Sequence, residues 1–246
     1  GSYAFAYCDQ LKTVENINNV YSLGVGAFYA AGLETVDLKN VYYIGDYAFG
    51  ESAVKEIIFG DCLKNLGENP FYGCQMETFG KKETVIFNGE EAGTRLIETY
   101  DVSESVKIIN GVLYQIVANG GMELVSYPMC KANETYTVEE GTVRISAKAF
   151  ANSAIKNVTL ASTLKALGDK AFYGCENLSI VVFQGYQAPM LEEEYDVSYI
   201  SYETMPLTGY LGKYQGLGIA PYYMWNAASN HSNFYFGANF VDHIGQ

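Results

Sequence analysis

A short phrase that recurs about every 22 residues constrains this chain more than any other feature of its sequence. Its clearest copy is Ile44–Phe49, in which an aliphatic residue, a glycine and a phenylalanine occupy fixed places. The anchoring phenylalanines of the copies are Phe5, Phe28, Phe49, Phe71, Phe150 and Phe172. A fixed period of about 20–25 residues is typical of a solenoid, in which each unit buries its apolar side only against its neighbours. The sequence therefore predicts a stacked array.

Each repeat contains one short stretch in which apolar and polar residues alternate. Between Phe28 and Phe49, the residues Val36 and Leu38 are predicted to point into the core, because alternation with period two indicates a strand with one buried face. The turn at Tyr47–Glu51 is too short for an independent helix, so we expect one helical turn held by packing. The predicted fold class is α/β, strand-rich with short helical turns.

The period separates two arrays from a C-terminal segment. Residues 1–89 and 141–185 are predicted to be repeat arrays, and they end on similar phrases, Phe71–Gly89 and Phe172–Gly185. The first of these phrases carries about five extra residues near Gly80 to Lys82. Residues 186–246 have no period and are predicted to cap the second array, because the open end of a solenoid needs covering.

Residues 90–140 are predicted to connect the two arrays. The Glu-rich stretch 90–105 has no periodicity and is interpreted as a surface loop. Strand-like runs then flank the turn Asn119–Gly121 and predict a β-hairpin over Asn110–Pro128.

The charge and hydropathy of the chain exclude two classes of partner. A net charge of −13 argues against nucleic acid, whose binding needs Lys and Arg to displace counterions from phosphates. No apolar run approaches the about 20 residues that span a bilayer, so we expect no membrane insertion in this segment. The chain begins partway through a repeat and has no signal peptide, so we expect a fragment or mature portion of a longer protein.

Three of the five cysteines occupy one position of the repeat, three residues after an anchoring phenylalanine. They are Cys8, Cys74 and Cys175, and small residues fill the position in other copies. Cys8 and Cys74 are three coils apart, roughly 14 Å, whereas a disulfide needs Cα atoms within about 7 Å. We therefore expect three buried free thiols. No Cys-x-x-Cys spacing occurs, and we expect no metal site and no cofactor.

The repeated phrase, Ile-Gly-x-x-Ala-Phe-x-x-Cys-x-x-Leu-x-x-Val, resembles the BspA-type leucine-rich repeats. The segments Gly111–Tyr114, Leu124–Pro128 and Tyr136–Val143 are also similar to the hairpin that precedes such arrays. The resemblance covers residues 1–185. Departures from the pattern are Ser146 in place of the glycine and Pro70 in place of the alanine.

The resemblance implies a right-handed leucine-rich-repeat solenoid with a stacked sheet on one side. It also implies an exported or surface-attached protein, usually bacterial, that binds other molecules. We therefore expect an extracellular or cell-surface recognition or adhesion module, monomeric, whose partner is a protein of a host or neighbouring cell. The alternatives are a glycan-binding module and a structural spacer. An enzyme is the least favoured class, because no nucleophile–base pair or paired-carboxylate arrangement is discernible.

Equivalent outward positions of stacked strands form ladders with rungs about 4.8 Å apart. We predict that a protein partner binds these outward residues: Thr13, Glu15, Thr35, Asp37, Glu56, Ile58, Thr84, Ile86, Asn157 and Thr159. Ile58 and Ile86 are expected on adjacent rungs of a solvent face. Such an apolar ladder indicates either a partner site or a surface covered by residues 90–105 or by the next array.

Aromatic residues of the C-terminal segment offer a second candidate site. Tyr222, Tyr223 and Trp225 could stack on sugar rings. The alternative interpretation is that they pack internally as part of the cap.

Overall fold

The structure, a computed structural model, describes a continuous N-terminal part of the chain and short pieces after it, namely residues 1–183, 189–191, 224–225, 234–236 and 239–240. The chain divides into two units, residues 1–118 with 125–130 and residues 119–124 with 131–246. Within the described part, no helix is long and apolar enough to cross a membrane.

Short strands build the first unit. They are β1 (Ser22–Leu23), β2 (Thr35–Leu38), β3 (Tyr43–Ile44), β4 (Glu56–Phe59), β5 (Asn65–Leu66), β6 (Lys81–Phe87), β7 (Glu90–Ile97), β8 (Tyr100–Asp101), β9 (Val106–Ile109) and β10 (Val112–Ile116). Two 3-10 helices lie at Ile17–Asn19 and Ala118–Gly120.

The strands that follow along the chain are also short. They are β11 (Met122–Ser126), β12 (Thr135–Thr137), β13 (Thr142–Ile145), β14 (Asn157–Leu160), β15 (Ala166–Leu167), β16 (Ile180–Phe183), β17 (Met190–Leu191), β18 (Met224–Trp225), β19 (Phe234–Phe236) and β20 (Asn239–Phe240).

Parallel pairing between equivalent strands holds the coils of the first unit together. Strand β2 pairs with β4, and Val36 lies opposite Ile57. Strands β1, β3 and β5 form a second parallel sheet, in which Leu23, Ile44 and Leu66 are aligned. All five of these side chains are buried in one apolar core. Each of these coils therefore stacks through short strands that place one aliphatic residue per coil in the same part of the core.

The second unit repeats this arrangement. Strands β12, β14 and β16 form one parallel sheet. Strand β13 pairs in parallel with β11 and β15, and β15 pairs with β17. The strand-rich solenoid expected from the period is therefore confirmed, whereas its right-handed winding stays a prediction.

Stacked phenylalanine rings mark the interior of each array. In the first unit the rings of Phe5, Phe28, Phe49 and Phe71 follow one another at centroid distances of 5.2, 5.4 and 5.6 Å, tilted by 7–10°. In the second unit Phe150 and Phe172 are 4.9 Å apart. Stacked aromatic pairs add to the stabilisation that their burial supplies. Five of the six anchors named from the sequence are therefore the repeating element of the core, whereas Phe5 is 43% exposed.

The turns around the anchors are not helical, so the prediction of short helical turns is wrong. Residues two positions before and after each anchor have positive φ, for example Tyr47 at 50° and Glu51 at 54°, and such residues interrupt a right-handed helix. The N–H of Phe49 donates to the Pro70 carbonyl of the next coil at 2.8 Å. Because the turn uses this N–H between coils, the group is not available for a helical hydrogen bond.

Residues 81–97 form an antiparallel hairpin, in which Lys81 of β6 lies opposite Ile97 of β7. The interpretation of residues 90–105 as a surface loop is therefore wrong for Glu90–Ile97 and for the short strand Tyr100–Asp101. Strand β7 is exposed on both faces over most of its length. No apolar alternation marks such a strand, because neither face contributes to a core.

The predicted hairpin at Asn110–Pro128 contains two strands, β10 and β11, where extended segments were expected. Their pairing with each other stays a prediction. Strand β10 pairs with β9, and Val112 lies opposite Ile109. The connecting residues Asn110 and Gly111 both have positive φ, at 53° and 73°. This is the backbone that a tight two-residue hairpin turn requires.

The predicted cap at residues 186–246 lies almost entirely outside the described residues. Strands β18, β19 and β20 form a small antiparallel sheet in this segment. The role of the segment as a cap, and the boundaries 1–89, 90–140 and 141–185 of the other predicted segments, stay predictions.

Candidate functional site

The sheet of β2 and β4 presents the predicted outward residues of the first unit. Thr35 lies opposite Glu56, and Asp37 lies opposite Ile58. Thr35 is exposed and Asp37 is half-buried, whereas the intervening Val36 is buried. The alternation inferred from sequence therefore places these outward side chains on two adjacent rungs.

Ion pairs surround these rungs. The Lys39 Nζ lies 3.4 Å from an Asp37 carboxylate oxygen, and the Lys82 Nζ lies 3.1 Å from Glu56. The Lys55 Nζ lies 3.0 Å from Glu34, and this hydrogen bond and charge lower the pKa of the Glu34 carboxyl. Pairs as exposed as these contribute little to stability, so they chiefly define the charge pattern of the surface.

Ile58 interrupts this charged surface with an apolar side chain that is 39% exposed. Ile86 is 59% exposed, but it lies opposite Glu91 in the β6–β7 hairpin. Strand β6 is not part of the sheet of β4. The predicted rung of Thr84 and Ile86 beside Glu56 and Ile58 is therefore wrong.

Two residues at the end of the first array explain why the rung does not form. The Thr78 hydroxyl donates to the Glu98 carboxylate, and the Phe79 N–H donates to the Gly111 carbonyl at 2.9 Å. The Phe79 ring is buried 5.5 Å from the ring of Phe71. The chain therefore turns away from β4 before β6 begins.

The remaining predicted residues lie elsewhere. Thr13 and Glu15 are exposed but belong to no strand. Asn157 and Thr159 are half-buried on β14, where Thr159 lies opposite Thr137 and Val182. The structure thus places only Thr35, Asp37, Glu56 and Ile58 of the predicted residues together on the sheet of β2 and β4.

A cleft beside β4 is the feature that sequence reasoning missed. It has a volume of about 290 Å³, and its walls include Lys55, Glu56, Ile57, Thr78, Lys82 and Leu96. Among the described strands, only β2 pairs with β4, so the opposite edge of β4 faces this cleft. The extra residues near Gly80 to Lys82 were the sequence signal, because they separate the closing phrase of the first array from its last coil.

The repeats themselves decide the family. The BspA type leucine-rich repeat region matches residues 1–112 and 125–194, with 6 copies. The chain belongs to the BspA-type leucine-rich repeat family. The resemblance drawn from the anchoring phenylalanines is therefore confirmed over most of the chain.

Similar chains occur among solved structures. A leucine-rich cell surface protein of Faecalibacterium prausnitzii is 21% identical, with a TM-score of 0.54, over 74% of this chain and 50% of that chain. The chain thus spans half the length of that relative. A leucine-rich repeat protein of Bacteroides ovatus is 21% identical, with a TM-score of 0.45, over 80% of this chain and 43% of that chain. The pneumococcal vaccine antigen PcpA is 22% identical, with a TM-score of 0.46, over 67% of this chain and 43% of that chain. Among curated proteins, none matches this sequence.

The repeat cysteines of the BspA-type arrays have two environments. The thiols of Cys74 and Cys175 are buried and free, and each donates to the carbonyl of the preceding anchor at 3.0 Å. Cys8 is free but exposed, so the prediction that it is buried is wrong. In the other two cases a serine hydroxyl of the preceding coil lies 3.4 Å from the thiol, Ser52 at Cys74 and Ser153 at Cys175. Burial raises the pKa of Cys74 to about 12.

Two further candidate sites are a metal site and the predicted sugar-stacking residues. No group of three His, Cys, Asp or Glu side chains that could hold a metal ion occurs among the described residues. The proposed sugar-stacking residues Tyr222, Tyr223 and Trp225 lie outside the described residues, apart from the backbone of Trp225 in β18.

Proposed function

We propose that this chain is a non-enzymatic recognition or adhesion module of a bacterial surface protein. It binds a protein partner of a host or neighbouring cell through the outward face of β2 and β4. Membership of the BspA-type family supports the class of function. The Faecalibacterium relative is described as a cell surface protein, which supports an extracellular or cell-surface location.

The proposal of the β2–β4 face as the binding surface rests on Ile58, an exposed apolar residue among charged and polar neighbours. Protein interfaces concentrate their binding energy in a few central residues surrounded by a polar rim. Ile58 has the polar neighbours Asp37 and Glu56, and the parallel pairing of β2 and β4 fixes their positions before binding. Fixed side chains lose little conformational entropy when a partner binds.

The two buried repeat thiols have a structural role. A cysteine acts as a nucleophile only as an accessible thiolate. Cys74 and Cys175 are buried, and burial raises the pKa of both thiols. They pack between coils and are not positioned to attack a substrate.

Site-specific photocrosslinking tests this function. A photoreactive amino acid at Ile58 should crosslink to a protein in surface extracts of candidate host or neighbouring cells. The same group at Asn65, an exposed residue of β5 in the other sheet, is the matched control and should give no such product. Protease treatment of the extract should abolish the crosslink, and glycosidase treatment should leave it intact.

The reverse sensitivity would contradict a protein partner and favour a glycan ligand. Equal crosslinking at Ile58 and Asn65, or none at either position, would contradict the proposed face and favour the spacer alternative.

A further inference from the structure

Among the described residues, none donates a hydrogen bond to the backbone carbonyl that begins the edge of β4 facing away from β2. This is the carbonyl of Lys55, directly before β4. The edge is open to the cleft whose walls include Glu56, Ile57 and Leu96. An unpaired strand edge is a template for another strand, since its N–H and C=O groups remain available.

The second unit shows what occupies the equivalent edge. Lys156 corresponds to Lys55, because each lies six residues after its anchor and each forms an ion pair with the preceding coil. The Lys156 carbonyl accepts the Ser179 N–H at 2.8 Å. Strand β16 then pairs in parallel with all four residues of β14. An extended segment of sequence Ile-Val-Val-Phe therefore completes the second array.

The first unit does not complete its own edge in this way. The equivalent residues Val85, Ile86 and Phe87 lie in the β6–β7 hairpin and are 37%, 59% and 70% exposed. Strand β6 hydrogen-bonds to β7. The side chains of Lys82 and Glu56 bridge β6 and β4, and no backbone ladder joins the two strands.

The cleft favours an uncharged extended occupant. Four charged side chains line it, Lys55, Lys82, Glu56 and Glu77, so their formal charges cancel. Two are already paired with each other, Lys82 with Glu56. The volume of about 290 Å³ is below the about 300–1,000 Å³ of typical small-molecule sites. An added strand would lie about 4.8 Å from β4 along its open edge, partly inside the cleft.

We propose that the open edge of β4 binds an extended, uncharged, β-branched segment of a partner protein as an added parallel strand. The inference rests on the proposed function, because it names the kind of partner segment that the face around Ile58 recognises. The Lys55 carbonyl accepts the first N–H of that segment, as Lys156 accepts Ser179. Ile58 then contacts an apolar side chain of the added strand. Strand addition to an exposed sheet edge is a general mode of peptide recognition, in which main-chain hydrogen bonds supply affinity.

A peptide with the sequence of the second array's own strand is the probe. The full chain is titrated into a fluorescent peptide of residues 178–185, solubilised by a polyethylene glycol tail, and fluorescence anisotropy is recorded. Saturable binding is expected. A peptide with proline in place of Ile180 and Val182 should bind at least tenfold more weakly, because proline removes the N–H groups. Equal binding of the two peptides would contradict strand addition.

Two matched variants locate the binding site. Ile58→Asp should weaken peptide binding at least tenfold, whereas Ile86→Asp, which alters an exposed residue outside the cleft, should leave it unchanged. Weakening by Ile86→Asp alone would place the peptide on the hairpin and overturn the proposal. If Ile58→Asp alters the circular dichroism spectrum, Leu96→Asp on the opposite wall replaces it with the same expectation.

Hydrogen exchange gives a readout that is independent of the variants. Peptide binding should slow amide exchange at Ile57 and Phe59, whose N–H groups alternate along β4 with those that bond to β2. Slow exchange at these two positions without peptide would mean that the edge is already paired in solution, and protection confined to residues 81–97 would mean binding to the hairpin. Either result overturns the proposal. A crosslinked partner at Ile58 together with failure of the peptide would reject strand addition alone and leave the proposed function standing.

Discussion

Strand β16 of the second unit and strand β6 of the first come from equivalent stretches of sequence, Val181–Phe183 and Val85–Phe87. In the second unit the stretch pairs with β14, and Val181 is 2% exposed. In the first unit the stretch forms one arm of a hairpin, and Val85 is 37% exposed. The equivalent valines are thus buried in one array and exposed in the other.

The difference shows that strand propensity alone does not decide where a strand pairs. The first array has about five more residues before its closing phrase. Phe79 fills the core next to Phe71, and its N–H is bonded to Gly111. After these contacts, strand β6 pairs with β7 and not with β4. As a result, the first unit has an open strand edge at β4 and an exposed hairpin, whereas the second unit has a third paired strand, β16.

Placing a charge at each of the two valines should give the largest contrast. Val181→Asp leaves an unpaired carboxylate in the core, which costs about 3–5 kcal/mol of the free energy of unfolding. Val85→Asp alters an exposed position and should cost less than about 0.5 kcal/mol. Chemical denaturation of the two variants and the parent chain measures both values. Equal losses would mean that the two stretches have the same environment in solution.

Glycine substitutions in the turns should affect the two units equally and more weakly. A Cβ at Gly45 would lie 2.7 Å from the Gly24 carbonyl carbon, and a Cβ at Gly168 would lie 2.3 Å from the Ala147 nitrogen. Both clashes involve backbone of the preceding coil, so Gly45→Ala and Gly168→Ala should each destabilise by about 1–3 kcal/mol.

Ser146 provides the control for these glycine variants. It occupies the same turn position, its N–H donates to the Leu124 carbonyl at 2.9 Å, and its hydroxyl donates to Glu123. Ser146→Gly should therefore lose a hydrogen bond without relieving a clash. If Gly45→Ala and Gly168→Ala prove neutral in thermal denaturation, the coils are not as closely stacked as the structure shows.

Thiol reactivity should distinguish the buried repeat cysteines from the exposed cysteines. Cys8, Cys62 and Cys130 are exposed, whereas Cys74 and Cys175 are buried. With Ellman's reagent at pH 8, three thiols should react rapidly and two only after addition of denaturant. Burial raises the pKa of Cys74 to about 12, so its thiolate is scarce at this pH as well as covered. Rapid reaction of all five thiols would contradict the covering of the repeat position by the preceding coil.

The sequence predicted those parts of the fold that repeat. The anchors Phe28, Phe49 and Phe150 and the alternation around Val36 were recognised because many coils impose the same burial on the same position. Helical turns were predicted wrongly because the positive φ of residues such as Lys148 is imposed by hydrogen bonds between coils, which no local propensity records.

The candidate site was predictable only in part, because it depends on contacts that occur once. Thr35, Asp37, Glu56 and Ile58 follow from the alternation, and the structure places them together. The open edge of β4 depends on Phe79 and on the bond of Thr78 to Glu98, which are specific to the end of the first array. A repeat pattern describes an average coil. From that pattern, Thr84 and Ile86 were wrongly predicted on the rung next to Glu56 and Ile58.

The smallest expected effect concerns the equivalent ion pairs of the two units, Lys55 with Glu34 and Lys156 with Glu134. Both pairs are exposed, so Lys55→Met and Lys156→Met should lower the melting temperature at pH 7 only slightly. Lys55 nevertheless lowers the pKa of Glu34, through its hydrogen bond and then its charge. A carboxyl whose pKa is lower in the folded state stabilises it above the unfolded pKa, and this contribution disappears as the pH falls through the folded value. Lys55→Met should therefore raise the pKa of Glu34 in a carbon-13 NMR titration and reduce the loss of stability in acid. An unchanged Glu34 titration in that variant would show that the ion pair does not form in solution, and the equivalence of the two lysines would then rest on their backbone contacts alone.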